Sequence, residues 1–221
     1  MRSVLCFGAS NTWGYEPGTG RRFSRSVRWP GRLQQALGDS AIVYEEGLNG
    51  RTTNRGDANR VPTNGYAYLK PCLLSHAPVD LVIVMLGTND LAQPRLTAQD
   101  IADGMQEIVE LLASTAVGQN WQPPAMLVMS PPPLLEHLAE LYGPAVARSR
   151  ELAPLYRYIA GQFGAEFLDA GEFAQPSAID GVHLDAEGHR ALAEAVIPVV
   201  QRILARLDAA DAAIGSAEKP E

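Results

Sequence analysis

Cysteine is scarce: Cys6 and Cys72 are the only two in 221 residues, with no CxxC pair between them. That excludes a disulfide-stapled scaffold and leaves two buried small hydrophobes in a reducing compartment as the expectation. Long apolar runs are missing too, since none approaches the ~18 residues of a membrane span. The N-terminus enters a strand within three residues and shows no charged, apolar and cleavage regions of a secretory leader. A cytoplasmic protein without a membrane partner is therefore expected. Basic residues are outnumbered, 18 against 25 acidic ones, for a net charge of −7. This argues against a nucleic-acid partner, which wants a basic face. The remaining composition, 46% hydrophobic and 19% charged, is ordinary for a globular chain long enough to bury one full core.

Five short apolar runs recur, at Ser3–Phe7, Ala41–Glu45, Leu81–Leu86, Ala125–Met129 and Glu166–Leu168. The third, Leu-Val-Ile-Val-Met-Leu, is apolar throughout, as a strand buried on both faces of a parallel sheet must be. Helical spacing fills the intervals, at Arg28–Leu37, Gly65–His76, Thr97–Ala116, Ala147–Phe163 and Ala186–Leu207. Alternating strands and helices predict an α/β protein: a three-layer α/β/α, flavodoxin-like fold on a doubly wound five-stranded parallel sheet. One domain over residues 1–207 is expected, followed by an Ala- and acid-rich tail, 208–221, that is frayed or disordered. Glu16–Val27 and Arg51–Asn64 break the alternation and read as loops over the carboxyl edge of the sheet, where such folds carry function.

Four of the loops leaving those strand ends hold residues suited to acyl transfer. Ser10, beside Gly8 and Ala9, is a candidate nucleophile at a strand-to-loop turn. Asp180 stands three residues before His183, close enough to bend back onto the ring and orient it as a base. The N–H of Ser10, the N–H of Gly50 and the side-chain amide of Asn89 are candidate donors to an oxyanion. Each element alone has an ordinary reading as a turn, cap or packing residue. Four of them in successive loops, each fitting a required role, point to a hydrolase.

Gly8-x-Ser10, Gly50, Gly87-Thr88-Asn89-Asp90 and Asp180-x-x-His183 resemble the four blocks of the SGNH, or GDSL, hydrolases, from Val4 to Leu204. Thr12-Trp13-Gly14, Arg51-Thr52-Thr53-Asn54 and Ser130-Pro131-Pro132-Pro133 are similar to the bacterial arylesterase/acyltransferase branch. The resemblance implies Ser10 as nucleophile, His183 as base, Asp180 as its orienting acid, and Ser10, Gly50 and Asn89 as the oxyanion hole. It implies a small-molecule ester substrate, no metal and no organic cofactor, and a homo-oligomer. Short-chain ester hydrolysis is the expected reaction, with acyl transfer to alcohols or peroxide beside it. Carbohydrate O-deacetylation by the same triad is the alternative, and a non-catalytic binding module the third reading. The family's Gly-Asp-Ser-Leu is here Gly8-Ala9-Ser10-Asn11. The absent carboxylate is no triad member; it would tie the nucleophile turn to neighbouring backbone, and Asn11 is the residue placed to take over part of that bonding.

Trp13, Tyr15 and Pro132 are candidate pocket walls. Arg21, Arg22, Arg25 and Arg28 read as solvated or interface charges, since no Gly-rich phosphate loop accompanies them. His189 reads as a packing residue of the last helix. His76 and His137 lack any carboxylate partner visible in the sequence, and no metal is expected at any of the histidines.

Overall fold

The computed structural model describes residues 1–55, 63–136 and 139–217. Five parallel strands, β1 (Arg2–Gly8), β2 (Ala41–Gly47), β3 (Leu81–Met85), β4 (Ala125–Ser130) and β5 (Glu166–Asp169), form one sheet in the order β2-β1-β3-β4-β5. Winding starts at β1, goes out to β2 and then reverses past β1 to β3. The gap between the carboxyl ends of β1 and β3 is thus the switch point where such sheets place their ligands. Ser10 and Asn89 follow those two ends.

Both sheet faces are apolar because helices cover both. Leu5, Phe7, Val82, Val84 and Val128 face one core, shared with α3 (Gly65–His76), α4 (Ala98–Ala113) and α6 (Ala145–Gln162). Val4, Cys6, Ile83, Met85, Leu127 and Met129 face the other, packed on α2 (Trp29–Leu37) and α7 (Ala186–Ala217). Side chains alternate across a strand, so two buried faces produce the uninterrupted apolar run of β3. The α7 stripe Leu192, Val196, Val200 and Ile203 is fully buried, against Leu33 and Trp29 of α2.

Helix ends account for several boundaries. Thr97 accepts from Asp100 N while Asp100 accepts from Thr97 N, a reciprocal cap that starts α4 one residue later than the periodicity suggests. Two short helices escape a periodicity reading: α1 (Ser10–Trp13) and α5 (Ala139–Tyr142). The expected disordered tail needs correction over residues 208–217, because α7 continues from Leu207 to Ala217, and 218–221 lie outside the described residues. Arg2 secures that extension through Asp208 and Asp211 at 2.8 and 2.6 Å, and reaches the buried Asp80 at 3.0 Å. Three of the four arginines after the nucleophile loop are not simply solvated: Arg22, Arg25 and Arg28 converge on Glu45. Cys6 and Cys72 are buried and unpaired. His137 and part of the Arg51–Asn64 loop lie outside the described residues. No described helix is long and apolar enough to cross a membrane.

Candidate active site

Ser10 opens the single turn α1 at the carboxyl end of β1, where its N–H has no acceptor within the helix. Gly8 is required two residues before it: a Cβ there would lie 2.1 Å from Thr12 Oγ1. Ala9 is the N-cap and supplies no side-chain acceptor, so the Thr12 hydroxyl is buried without a partner among the described residues. The family aspartate would stand where a cap carboxylate could accept from that turn.

The candidate acid and base lie on the segment before α7. Asp180 folds back on its own backbone, with Oδ1 accepting from Val182 N at 3.0 Å and His183 N at 2.9 Å. Its Oδ2 lies 2.8 Å from His183 Nδ1, and His183 Nε2 lies 2.9 Å from Ser10 Oγ, across 173 residues of sequence. Burial alone would raise the Asp180 carboxyl, but the His183 and Val182 amides and the His183 ring hold it below the usual carboxylate range. An ionised Asp180 keeps the proton on Nδ1 and leaves Nε2 as an acceptor for the serine hydroxyl.

Two further loops complete the rim. Arg51 N donates to Leu48 O at 3.1 Å, closing a β-turn with Gly50 at its third position. Gly50 has φ +79°, a conformation open to glycine at that turn position. Asn89 Nδ2 donates to Arg51 O at 2.9 Å, fastening the β3 loop to this turn. One amide hydrogen of Asn89 remains for a ligand. Asn89-Asp90 does not cap a long helix; it begins a single 3-10 turn without a side-chain cap bond.

Some site residues had no sequence signal for their task. Asn11 does tie the nucleophile turn to neighbouring backbone, as expected of it, but the backbone it reaches is that of the histidine segment. Its Oδ1 accepts from Leu184 N at 2.9 Å and its Nδ2 donates to Val182 O at 3.1 Å, gripping the peptides on both sides of His183. Tyr142 donates to Asp180 O at 2.6 Å. Asp90 is fully buried and accepts from Thr53 N and from Thr53 Oγ1 at 2.6 Å. Burial raises its carboxyl to about 6 against the lowering effect of those bonds.

A cavity of about 450 Å³ opens beside Asn89, walled by Leu91, Pro94, Leu134, Leu141, Pro144 and Val182, with Tyr142 and Arg148 also on its surface. Of the three residues expected to wall a pocket, none lines this one. Tyr15 instead stacks on the His183 ring at 4.1 Å, Trp13 lies under the Arg22 guanidinium, and Pro132 is buried.

Residues 6–191 match the model of the GDSL-like Lipase/Acylhydrolase family. The chain belongs to this family. Among solved structures, this GDSL-like hydrolase is similar to a carbohydrate acetylesterase family member from Sinorhizobium meliloti. Identity is 40% over 93% of this chain and 100% of that one, with a TM-score of 0.84. An aryl esterase from M. smegmatis is 38% identical over 92% and 100%, also with a TM-score of 0.84. A lipolytic G-D-S-L family member from Veillonella parvula, at 14% identity and a TM-score of 0.70, shares the fold. No curated protein matches the chain. GDSL-like hydrolases with esterase neighbours are thus its kin, on the same five-stranded α/β/α architecture.

Proposed function

We propose that this protein is a serine esterase that hydrolyses short-chain aryl and alkyl esters through an acyl-enzyme on Ser10. Ser10 Oγ attacks the ester carbonyl carbon while His183 Nε2 takes its proton, and Asp180 stabilises the resulting imidazolium. The alcohol leaves with that proton. Water, deprotonated by the same nitrogen, then releases the acid. The N–H groups of Ser10 and Gly50 and the Asn89 amide serve as donors to the developing oxyanion.

The observation that carries the aryl and alkyl preference is the state of the polar atoms around the cavity. Arg148 gives Nη1 and Nη2 to the carbonyls of Leu91, Gln93 and Leu96, only its buried Nε staying unpartnered among the described residues, and Tyr142 gives its hydroxyl to Asp180 O. What remains facing the ligand is mostly aliphatic, which suits an apolar ester group better than a sugar. A pocket that excludes water from the acyl-enzyme would also favour transfer to an alcohol or peroxide. Two buried, unpaired cysteines suit a reducing compartment, the cytoplasm.

Turnover of a p-nitrophenyl ester series by wild type and Ser10→Ala tests the reading. The substitution should lower kcat by roughly 10⁴-fold or more. Equal turnover by the two proteins would overturn it, as would failure of a fluorophosphonate to label Ser10. Carbohydrate deacetylation is the second reading, favoured by the 40% identity to the Sinorhizobium meliloti protein. Acetylated sugars turned over faster than aryl acetates would select it.

A further inference from the structure

Away from the triad, β2 and α3 bring together three side chains that ester hydrolysis does not use. β2 closes on Glu46-Gly47, the chain passes through the Gly50 turn, and it returns as α3. The second half of that helix carries Cys72 and His76 at i and i+4, so both project from one face. Glu46 comes from the sheet to meet them, its Oε1 2.8 Å from His76 Nε2. One sulfur, one ring nitrogen and one carboxylate oxygen lie within 4.8 Å of one another. No sequence pattern joins Glu46 to the helix, so a histidine that seemed to lack a carboxylate gains one only through the fold.

Two simpler readings fall short. A histidine–carboxylate pair, with the Cys72 thiol hydrogen-bonded to Glu46, accounts for the contacts of the protein alone but makes no use of three metal-ligating atoms converged on one point. A second nucleophile would need a thiolate, and Cys72 is 2% exposed, its thiol pushed up to about 12 by burial and by Glu46. Metal ligation uses all three. A tetrahedral zinc ion sits about 2.3 Å from sulfur and about 2.0–2.1 Å from nitrogen and oxygen, so its ligand atoms stand roughly 3–4 Å apart. Side-chain rotations of about an ångström reach that geometry, the 2.8 Å Glu46–His76 contact opening while wider spacings, none above 4.8 Å, close.

We propose that Glu46, Cys72 and His76 bind one thiophilic divalent cation of the zinc class, clipping the end of β2 to α3 across the loop that carries Gly50. On binding, the Cys72 S–H proton passes to solvent as the metal–sulfur bond forms; no electrons are transferred. The cation enters between Glu46 and His76, whose side chains are 22% and 26% exposed, and water fills the fourth position. Its surroundings are Tyr68, whose hydroxyl is 3.4 Å from Glu46 Oε2, the Tyr44 ring against His76, and the buried Arg51 guanidinium. Thiolate and carboxylate neutralise a divalent ion, so the clip places no net charge beside Arg51.

The test titrates the full chain with Co²⁺, read by its thiolate-to-metal absorption band, and with Zn²⁺, read by competition with a chromophoric chelator. One equivalent and a charge-transfer band are expected. Cys72→Ser should abolish the band, and both Cys72→Ser and His76→Gln should weaken Zn²⁺ binding by more than about tenfold. Cys6→Ser and His183→Ala should bind as wild type does. Zn²⁺ should raise the thermal midpoint of wild type and not of His76→Gln, a change at a partly exposed position outside the core. No binding, a band that survives Cys72→Ser, or an affinity indifferent to both substitutions would each overturn the assignment.

Discussion

A histidine free to swing away from its serine is a poor base, and Asn11 restrains His183 by holding the peptide groups of its two neighbours, Val182 and Leu184. Asn11→Ala removes both bonds while leaving the side chains of Ser10, Asp180 and His183 themselves unaltered. Displacement of a reacting group by about an ångström costs on the order of 10²-fold in rate. Steady-state kinetics should therefore show kcat reduced toward that extent with KM nearly unchanged. Asn11→Asp, which keeps the acceptor for Leu184 N, should recover part of the loss, whereas an equal defect in both variants would argue against positioning. Two other buried groups give the pH dependence of stability opposite signs. Asp90 has its folded pKa raised to about 6, so its contribution is fully present below its unfolded value near 4 and is lost as pH rises through 6. His189, buried and accepting from Trp29 N at 3.3 Å, is lowered to about 4 by burial. Its contribution is present above the unfolded value of about 6.5 and lost as pH falls toward 4. Each displacement corresponds to about 3 kcal/mol across its window. In urea unfolding between pH 4 and 7.5, wild type should lose stability relative to Asp90→Asn on going up, and relative to His189→Phe on going down. Parallel curves for wild type and either variant would contradict the assigned sign.

At the scale of elements, the ends of helices explain what spacing alone could not. The reciprocal bonds of Thr97 and Asp100 begin α4, whose buried face carries Ile101, Met105, Ile108 and Leu112. Thr97→Ala should cost about 1 kcal/mol in urea unfolding, with esterase activity per folded molecule unchanged. An unaltered midpoint would mean the cap is redundant. Boundaries of this kind were legible wherever one physical signal dominated. Two covered faces made β3 apolar at every position, and the Leu192–Ile203 stripe marked α7. Ser10, Asp180 and His183 were legible as candidates because acyl-transfer chemistry admits few residue types, and the fold brings their side chains within hydrogen-bond distance. Asn11 was legible as the residue that bonds the nucleophile turn to neighbouring backbone, but its partners were not, since they lie 171 and 173 residues away. The role of Glu45 was hidden in the same way: three arginines of the loop before and at the start of α2 reach it from 17 residues or more away. A four-residue helix such as α1 has no room to display a period, so its cap and its glycine are its only local marks.

The whole molecule is closed where its two ends meet. An Ala-rich acidic segment has little apolar surface to bury, which is why residues beyond Leu207 read as disordered. Helix continuation there rests on charge rather than on burial. Arg2, at the first position of β1, divides its guanidinium among Asp80, Asp208 and Asp211. The three contacts are unequal. Asp80 is almost wholly buried and also accepts from Ser3 N at 2.8 Å and Ser3 Oγ at 3.1 Å, whereas Asp208 and Asp211 are substantially exposed. Pairs with exposed carboxylates are worth little to global stability and are screened by salt. Arg2→Ala should therefore cost about 2 kcal/mol, nearly all of it from leaving the Asp80 carboxylate with fewer donors. Its distinct mark should be local: amides of residues 208–217 should exchange with solvent much faster, while those of the buried 192–204 stretch slow down or speed up only with global stability. Adding salt to wild type should reproduce the local loss without the global one. Unchanged protection of 208–217 in Arg2→Ala would mean the extension holds by helix propensity alone, which its alanines favour but which rarely sustains so short an end in water.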